Sequence, residues 1–184
     1  MTALPSHPQR NSIRLQLRQN QLLQGMTSAQ WGELEPLLLV ADYRKGDPLV
    51  RQGDEEMEQF FILEGMLKRV VSNPQGREMI LRFAAEGEMD TSYAAWRLRT
   101  PVPYSIVAVT KVRTVELPMP QWVEFLDRQP VDRVDAVQLQ RIDDQLKAVG
   151  ELGLRIAGDL GFDGAHGGPP EGIAMVETRG LPRP

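Results

Sequence analysis

From Asn73 to Pro118 apolar and polar positions alternate as they do in strands, and the chain is arranged around this stretch. Asn73-Pro74-Gln75-Gly76 is a turn signal, because Pro presets φ and Gly supplies a positive φ. Met79, Leu81 and Phe83 alternate with Ile80 and Arg82, the period of a strand with one face buried. A second turn or short helix follows Gly87, and Ser105 to Leu117 reads as two strands split near Lys111. Upstream, the Lys45-Gly46-Asp47 and Gln52-Gly53-Asp54 turns bracket Pro48-Leu49-Val50. Phe60-Phe61-Ile62-Leu63 predicts a buried strand, Glu64-Gly65 a two-residue hairpin turn and Met66 to Val71 the returning strand. Short strands punctuated by Gly turns predict a mainly β protein with flanking helices, an antiparallel β-roll of the jelly-roll type.

The period changes on either side. Residues 1–11 are polar with two prolines and predict a loose segment. Ile13, Leu15, Leu17, Leu22 and Leu23 fall among Arg and Gln and predict a helix closed by Gly25. Thr27 followed by Gln30 is a capping-box start for a helix through Trp31, Leu34, Leu37 and Leu38, with Pro36 bending or ending it. After the roll, Gln121 to Leu126 predicts a short helix and Pro130 starts another. Leu139, Ile142, Leu146, Val149, Gly153, Ile156 and Leu160 then recur at steps of three and four, the seam of a coiled coil. Such a helix could pack on its own roll, but so narrow a stripe suits a partner helix better. Beyond Leu160 the composition turns to Gly and Pro and predicts a flexible tail without a helix-turn-helix. The expected organisation is a polar segment and helix over 1–26, the roll over 27–127, a long dimerisation helix over 128–160 and the tail over 161–184.

Composition narrows the function. With 184 residues the chain can bury one core, and its net charge of −4 lacks the basic excess of a phosphate-neutralising protein. Cys is absent, which excludes disulfides, thiolate zinc sites and cysteine-held iron–sulfur clusters. His7 and His166, the two histidines, fall in the terminal segments, so the roll holds no histidine metal site or nucleophile–base pair. The consecutive acids Glu55-Glu56 and Asp143-Asp144 read as solvated. No enzyme, metal, haem or other cofactor is expected, and the absence of a signal core or long apolar run predicts a cytoplasmic protein without membrane contact.

Lys45-Gly46, Gln52-Gly53-Asp54, Phe61-Ile62-Leu63-Glu64-Gly65, Gly76-Arg77-Glu78-Met79-Ile80-Leu81 and Gly87-Glu88 together resemble the cyclic-nucleotide-binding domain of the catabolite activator and FNR (CRP/FNR) regulators. The likeness covers roughly residues 30–150. It implies a β-roll followed by a long helix, usually dimeric and usually holding a cyclic nucleotide.

The family's phosphate-binding cassette is where this chain departs. The family has a Gly-Glu pair opening a short helix, whose glutamate takes the ribose hydroxyl; those places are Thr91 and Ser92 here. The family's phosphate-binding Arg and following Ser or Thr correspond to Val102 and Pro103. A buried phosphodiester needs a cation or several donors; Val offers none and Pro lacks even a backbone N–H. Binding of cyclic AMP in the family's manner is therefore not expected. Glu88 matches the preceding turn position rather than the family's glutamate. Where the family's helix caps the base with hydroxyl side chains, Lys147 and Ala148 stand.

The candidate pocket comprises Gly87, Thr91, Ser92, Tyr93, Arg97, Arg99, Val102, Pro103 and Tyr104. Thr91 and Ser92 could open an anion-attracting helix N-terminus or serve as plain caps, and Arg97 and Arg99 could turn inward or stay solvated. Tyr93, Trp96 and Tyr104 could line an apolar pocket or fill it. The sequence thus predicts a regulatory protein of the CRP/FNR type that senses an altered small ligand. The alternative is a ligand-free interaction module pairing with itself or with a full-length transcription regulator. A homodimer is expected, a related regulator is a possible heteropartner, and no direct DNA binding is expected.

Overall fold

The computed structural model describes residues 1–72 and 77–129. Two antiparallel sheets face each other. The first contains β1 (Thr2–Ala3), β2 (Leu39–Tyr43), β4 (Glu58–Glu64), β7 (Met89–Thr91) and β9 (Val112–Pro118) in the order β1-β2-β9-β4-β7. The second contains β3 (Pro48–Val50), β5 (Met66–Ser72), β6 (Glu78–Ala85) and β8 (Ser105–Ala108) in the order β3-β8-β5-β6. This is the mainly β roll with flanking helices that the turn spacing predicts; the long helix with its stripe, the tail and the Asn73–Gly76 turn lie outside the described residues.

The uninterrupted apolar run of β4 has two partners. Phe60, Phe61, Ile62 and Leu63 all join the core cluster, and Phe61 meets Trp122 edge-to-face at 5.7 Å on α4 (Met119–Asp127). A strand covered on both faces loses the alternation of a half-exposed one. Helix α2 (Ser28–Leu34) begins with the predicted capping box, Thr27 and Gln30 each satisfying the other's backbone N–H. It stops where Pro36 would lose its hydrogen bond, and a 3-10 turn over Glu35–Leu37 follows.

Several expectations are corrected. Residues 1–11 are held in place: β1 pairs with β2, Leu4 is fully buried, and α1 (Arg10–Leu17) starts inside this segment. Leu4, Ile13, Leu17, Leu22 and Leu23 share one cluster with the sheet residues, so burial outweighs the polar local composition. Leu22 and Leu23 lie beyond the helix, in turns. Glu64-Gly65 is no hairpin turn, because β4 pairs with β7 and β9 while β5 pairs with β6 and β8. At Gly65 (φ 90°) the chain crosses between sheets, and a Cβ there would overlap the Lys111 carbonyl oxygen.

Strand β6 does not bury the predicted face. Met79, Ile80 and Phe83 are 36%, 48% and 52% exposed, and Ala84 is the buried apolar residue. The strand forms the sheet's edge, and its register slips between Arg82, opposite Arg69, and Ile80, opposite Val70. One extra residue at that bulge shifts the faces, which a strict period of two cannot register.

Candidate functional site

The connection from β6 to β7 is fixed by backbone bonds. Gly87 (φ 83°) donates to the Ile62 carbonyl at 2.9 Å, Ile62 donates to the Glu88 carbonyl at 3.0 Å, and Glu88 Oε2 accepts from Ala85 N–H at 2.7 Å. Glu88 is thus a turn residue, as its spacing predicts. Helix α3 (Tyr93–Leu98) follows β7; Ser92 stands at its N-cap without a capping bond. It is not the side-chain cap that its residue type suggests.

Beneath this turn lies a charge pair that joins the two sheets. Arg69 of β5 donates through Nε to Asp90 Oδ1 at 2.7 Å and through Nη2 to the same oxygen, and Nη2 also reaches the Thr91 carbonyl at 2.7 Å. Both residues are buried, Asp90 to 1% exposure. The guanidinium lies 4.6 Å over the Tyr104 ring, whose hydroxyl donates to the Thr91 carbonyl at 3.1 Å. Burial opposes the Arg69 charge, but the Asp90 carboxylate beside it raises its pKa overall. Burial likewise pushes the Tyr104 hydroxyl up, so it stays a neutral donor.

This pair leaves two buried oxygens without a hydrogen-bond partner, Asp90 Oδ2 and Thr91 Oγ1, while the Ser92 hydroxyl has only Tyr104 beside it. Ser92 borders the Tyr104 hydroxyl, and Arg82 Nε stands 4.0 Å from Asp90 Oδ2. Val102 is 1% exposed and sits in the core cluster. Its N–H donates to the Asp54 carbonyl at 2.9 Å and its carbonyl accepts from Gly53 at 2.8 Å. Pro103 lies at the surface. The Arg69 guanidinium beside these oxygens is therefore already paired, and Val102 offers no charge.

Arg97 and Arg99 do not turn inward. Arg97 lies in the last turn of α3 and Arg99 just past its end, both exposed. With Trp96, Thr100, Pro101, Glu55 and Met57 they line a cleft of about 630 Å³ between α3 and the connection from β3 to β4. The predicted aromatic cluster is divided: Tyr93 and Trp96 pack at 5.6 Å, whereas Tyr104 is buried against Arg69. The structure thus sorts the predicted residues into Gly87 in the turn, Thr91, Ser92 and Tyr104 at the buried pair, and Trp96, Arg97 and Arg99 at the cleft. Sequence reasoning missed Arg69, Asp90, Glu55 and Met57. Arg69 shares an inward face with Leu67, and that charge among apolar positions was the available signal.

A second buried acid lies on β9. Glu116 accepts from Tyr43 Oη at 3.0 Å and from Thr114 Oγ1 at 3.2 Å. Burial, aided by the nearby Glu58, raises its pKa to about 7. Among the described residues no His, Cys, Asp and Glu cluster suits a metal ion, and no helix is long and apolar enough to cross a membrane.

Residues 40–129 match the family model for the cyclic nucleotide-binding domain. No curated protein sequence matches the chain. Among solved structures, the regulatory subunit of a cAMP-independent protein kinase A from Trypanosoma brucei is similar at 19% identity and a TM-score of 0.54, over 73% of this chain and 52% of that one. The N-terminal domain of a transcriptional regulator from Streptomyces coelicolor A3(2) is similar at 23% identity and a TM-score of 0.52, over 74% of this chain and 93% of that one. A regulatory subunit of a cAMP-independent protein kinase A from Trypanosoma cruzi, bound to guanosine, is similar at 20% identity and a TM-score of 0.60, over 79% and 50%. The chain spans about half the length of these kinase subunits. At such identities the likeness is one of fold.

Proposed function

We propose, from the premise that residues 40–129 are a domain of the cyclic nucleotide-binding family, that the chain is a regulatory sensor of a ligand other than a 3′,5′-cyclic phosphate. The observation that carries this reading is the state of the buried charge. Arg69 is consumed by Asp90, and Val102 stands in the core where the resemblance has the phosphate-binding arginine. A cyclic phosphate entering there would bring a negative charge beside Asp90, where Arg69 is already paired and Arg82 already stands 4.0 Å from the other Asp90 oxygen. That charge would cost several kcal/mol. The unpartnered oxygens of Asp90 and Thr91 instead favour a neutral ligand rich in hydrogen-bond donors. Guanosine, the compound bound to the Trypanosoma cruzi subunit, is a ligand of this neutral, donor-bearing kind.

A second reading has its own support. The Tyr104 ring covers the Arg69 guanidinium, and Met66, Ile80 and Phe83 leave apolar surface on the second sheet. On that reading the domain is ligand-free and works through protein contacts, pairing with itself through Leu139, Ile142, Leu146 and Val149 or with a related regulator. On either reading the role is regulatory rather than catalytic, and the acidic chain by itself leaves duplex DNA unretarded.

Calorimetric titration of the full chain with cyclic AMP and with guanosine tests the proposal. Guanosine should bind and raise the melting temperature, a ligand at a hundred times its Kd adding about 2.7 kcal/mol. Cyclic AMP should do neither. Micromolar binding of cyclic AMP would overturn the reading, and silence with both compounds would favour the ligand-free one.

A further inference from the structure

The cleft between α3 and the β3–β4 connection is separate in its lining from Asp90, Thr91 and Ser92, and it has the makings of a binding site of its own. Its volume, about 630 Å³, falls within the range of small-molecule pockets. Among the described residues neither Arg97 nor Arg99 forms an ion pair, and both line the cleft. Met57 is nearly fully buried, Trp96 is partly buried, and Glu55 adds one acid to the lining.

Backbone geometry gives an independent reason to regard Arg99 as placed for its side chain. Helix α3 ends with Arg99 N–H donating to the Trp96 carbonyl at 3.2 Å and Thr100 N–H to the Ala95 carbonyl at 3.0 Å, the paired bonds of a Schellman ending. The residue that donates the first of these bonds takes a left-handed conformation in such an ending, and Arg99 does so at φ 55° and ψ 42°. Glycine fits that conformation without strain, and Arg99 is the one non-glycine residue with positive φ among the described residues. A strained arginine at a position that suits glycine, lining with a second arginine and Trp96 the same cleft, is an arrangement suited to a planar acid.

We propose that this cleft binds a planar monoanion, an aromatic carboxylate with a hydrogen-bond donor at its far end. The carboxylate takes the guanidiniums of Arg97 and Arg99, the ring lies against Trp96 and Met57, and the donor meets Glu55. Two positive groups and one negative leave a single net charge to be matched, which favours a monoanion over a polyphosphate. The site does not depend on what the buried pair at Arg69 and Asp90 accepts.

The test follows tryptophan indole resonances of the isotopically labelled full chain during titration with 4-aminobenzoate. Trp31 and Trp122 are buried, so the remaining tryptophan, Trp96, reports the cleft, and Trp96→Phe assigns its signal. The expected result is a saturable shift of the Trp96 signal alone, at least tenfold weaker affinity in Arg97→Gln and Arg99→Gly, and a much smaller response to neutral 4-aminobenzamide. Glu55→Gln should weaken 4-aminobenzoate relative to benzoate. Arg99→Gly relieves the strained backbone, so its melting temperature should rise and lost binding cannot be blamed on unfolding. Three results would overturn the proposal: no saturable shift, an equal response to the amide, or unchanged affinity in Arg99→Gly.

Discussion

Replacing Glu116 by Gln removes a titrating group while keeping a side chain that can accept the Tyr43 hydrogen bond. In the folded chain the carboxyl has a pKa near 7 against an ordinary value of 4.5, because it is buried and faces Glu58. The folded state therefore binds the Glu116 proton more tightly than the unfolded state does. The resulting stabilisation is complete below the unfolded pKa and disappears as pH rises through the folded one. A gap between 4.5 and about 7 corresponds to roughly 3 kcal/mol, lost at no more than about 1.4 kcal/mol per pH unit. Urea unfolding of both proteins from about pH 4.5 to about pH 8 isolates this contribution, because other titrating groups cancel in the difference. Glu116→Gln should match the wild type at the acid end and exceed it by about 3 kcal/mol at the basic end. Tyr43→Phe should move the transition to higher pH, since the tyrosine hydrogen bond is one of the influences that lower the Glu116 pKa. Parallel stability curves with a constant offset would refute the reasoning, because Glu116 would then titrate alike in both states.

The buried pair gives a sharper loss. Asp90→Ala strands the Arg69 guanidinium away from water and should cost about 3–5 kcal/mol, whereas adding Arg69→Met should recover much of it; equal losses in the single and double variants would contradict the pairing. The Leu139–Leu160 stripe lies outside the described residues, and its homodimer remains a prediction from the sequence. Burying one Leu is worth roughly 1.5–3 kcal/mol, so Leu146→Asp should convert a sedimenting dimer to monomer while the roll stays folded; a wild-type monomer at high concentration would refute this.

The sequence by itself determined what depends on neighbours along the chain. The glycines at 46, 53 and 87 mark turns because each needs a positive φ, and the structure has them at φ 92°, 95° and 83°. Thr27 and Gln30 define a helix start because their reciprocal bonds close within one turn. Together with the apolar runs between them, these signals sufficed for a β-roll. They also placed Val102 and Pro103 where the resemblance has charged and hydrogen-bonding partners.

Tertiary structure decided whatever depends on which strands meet. Glu64-Gly65 has the local chemistry of a hairpin, yet the competing partners β7 and β9 take β4 into the other sheet. The edge position and bulge of β6 expose Phe83, which strict alternation would bury. Arg69 and Asp90 lie 21 positions apart and Tyr43 and Glu116 lie 73 apart. No local period reports such pairs, because a buried charge reveals its partner only when the sheets close over it. The same closure turned Tyr104 onto Arg69 and left Arg97 and Arg99 outside, dividing one predicted pocket between a buried charge pair and an open cleft.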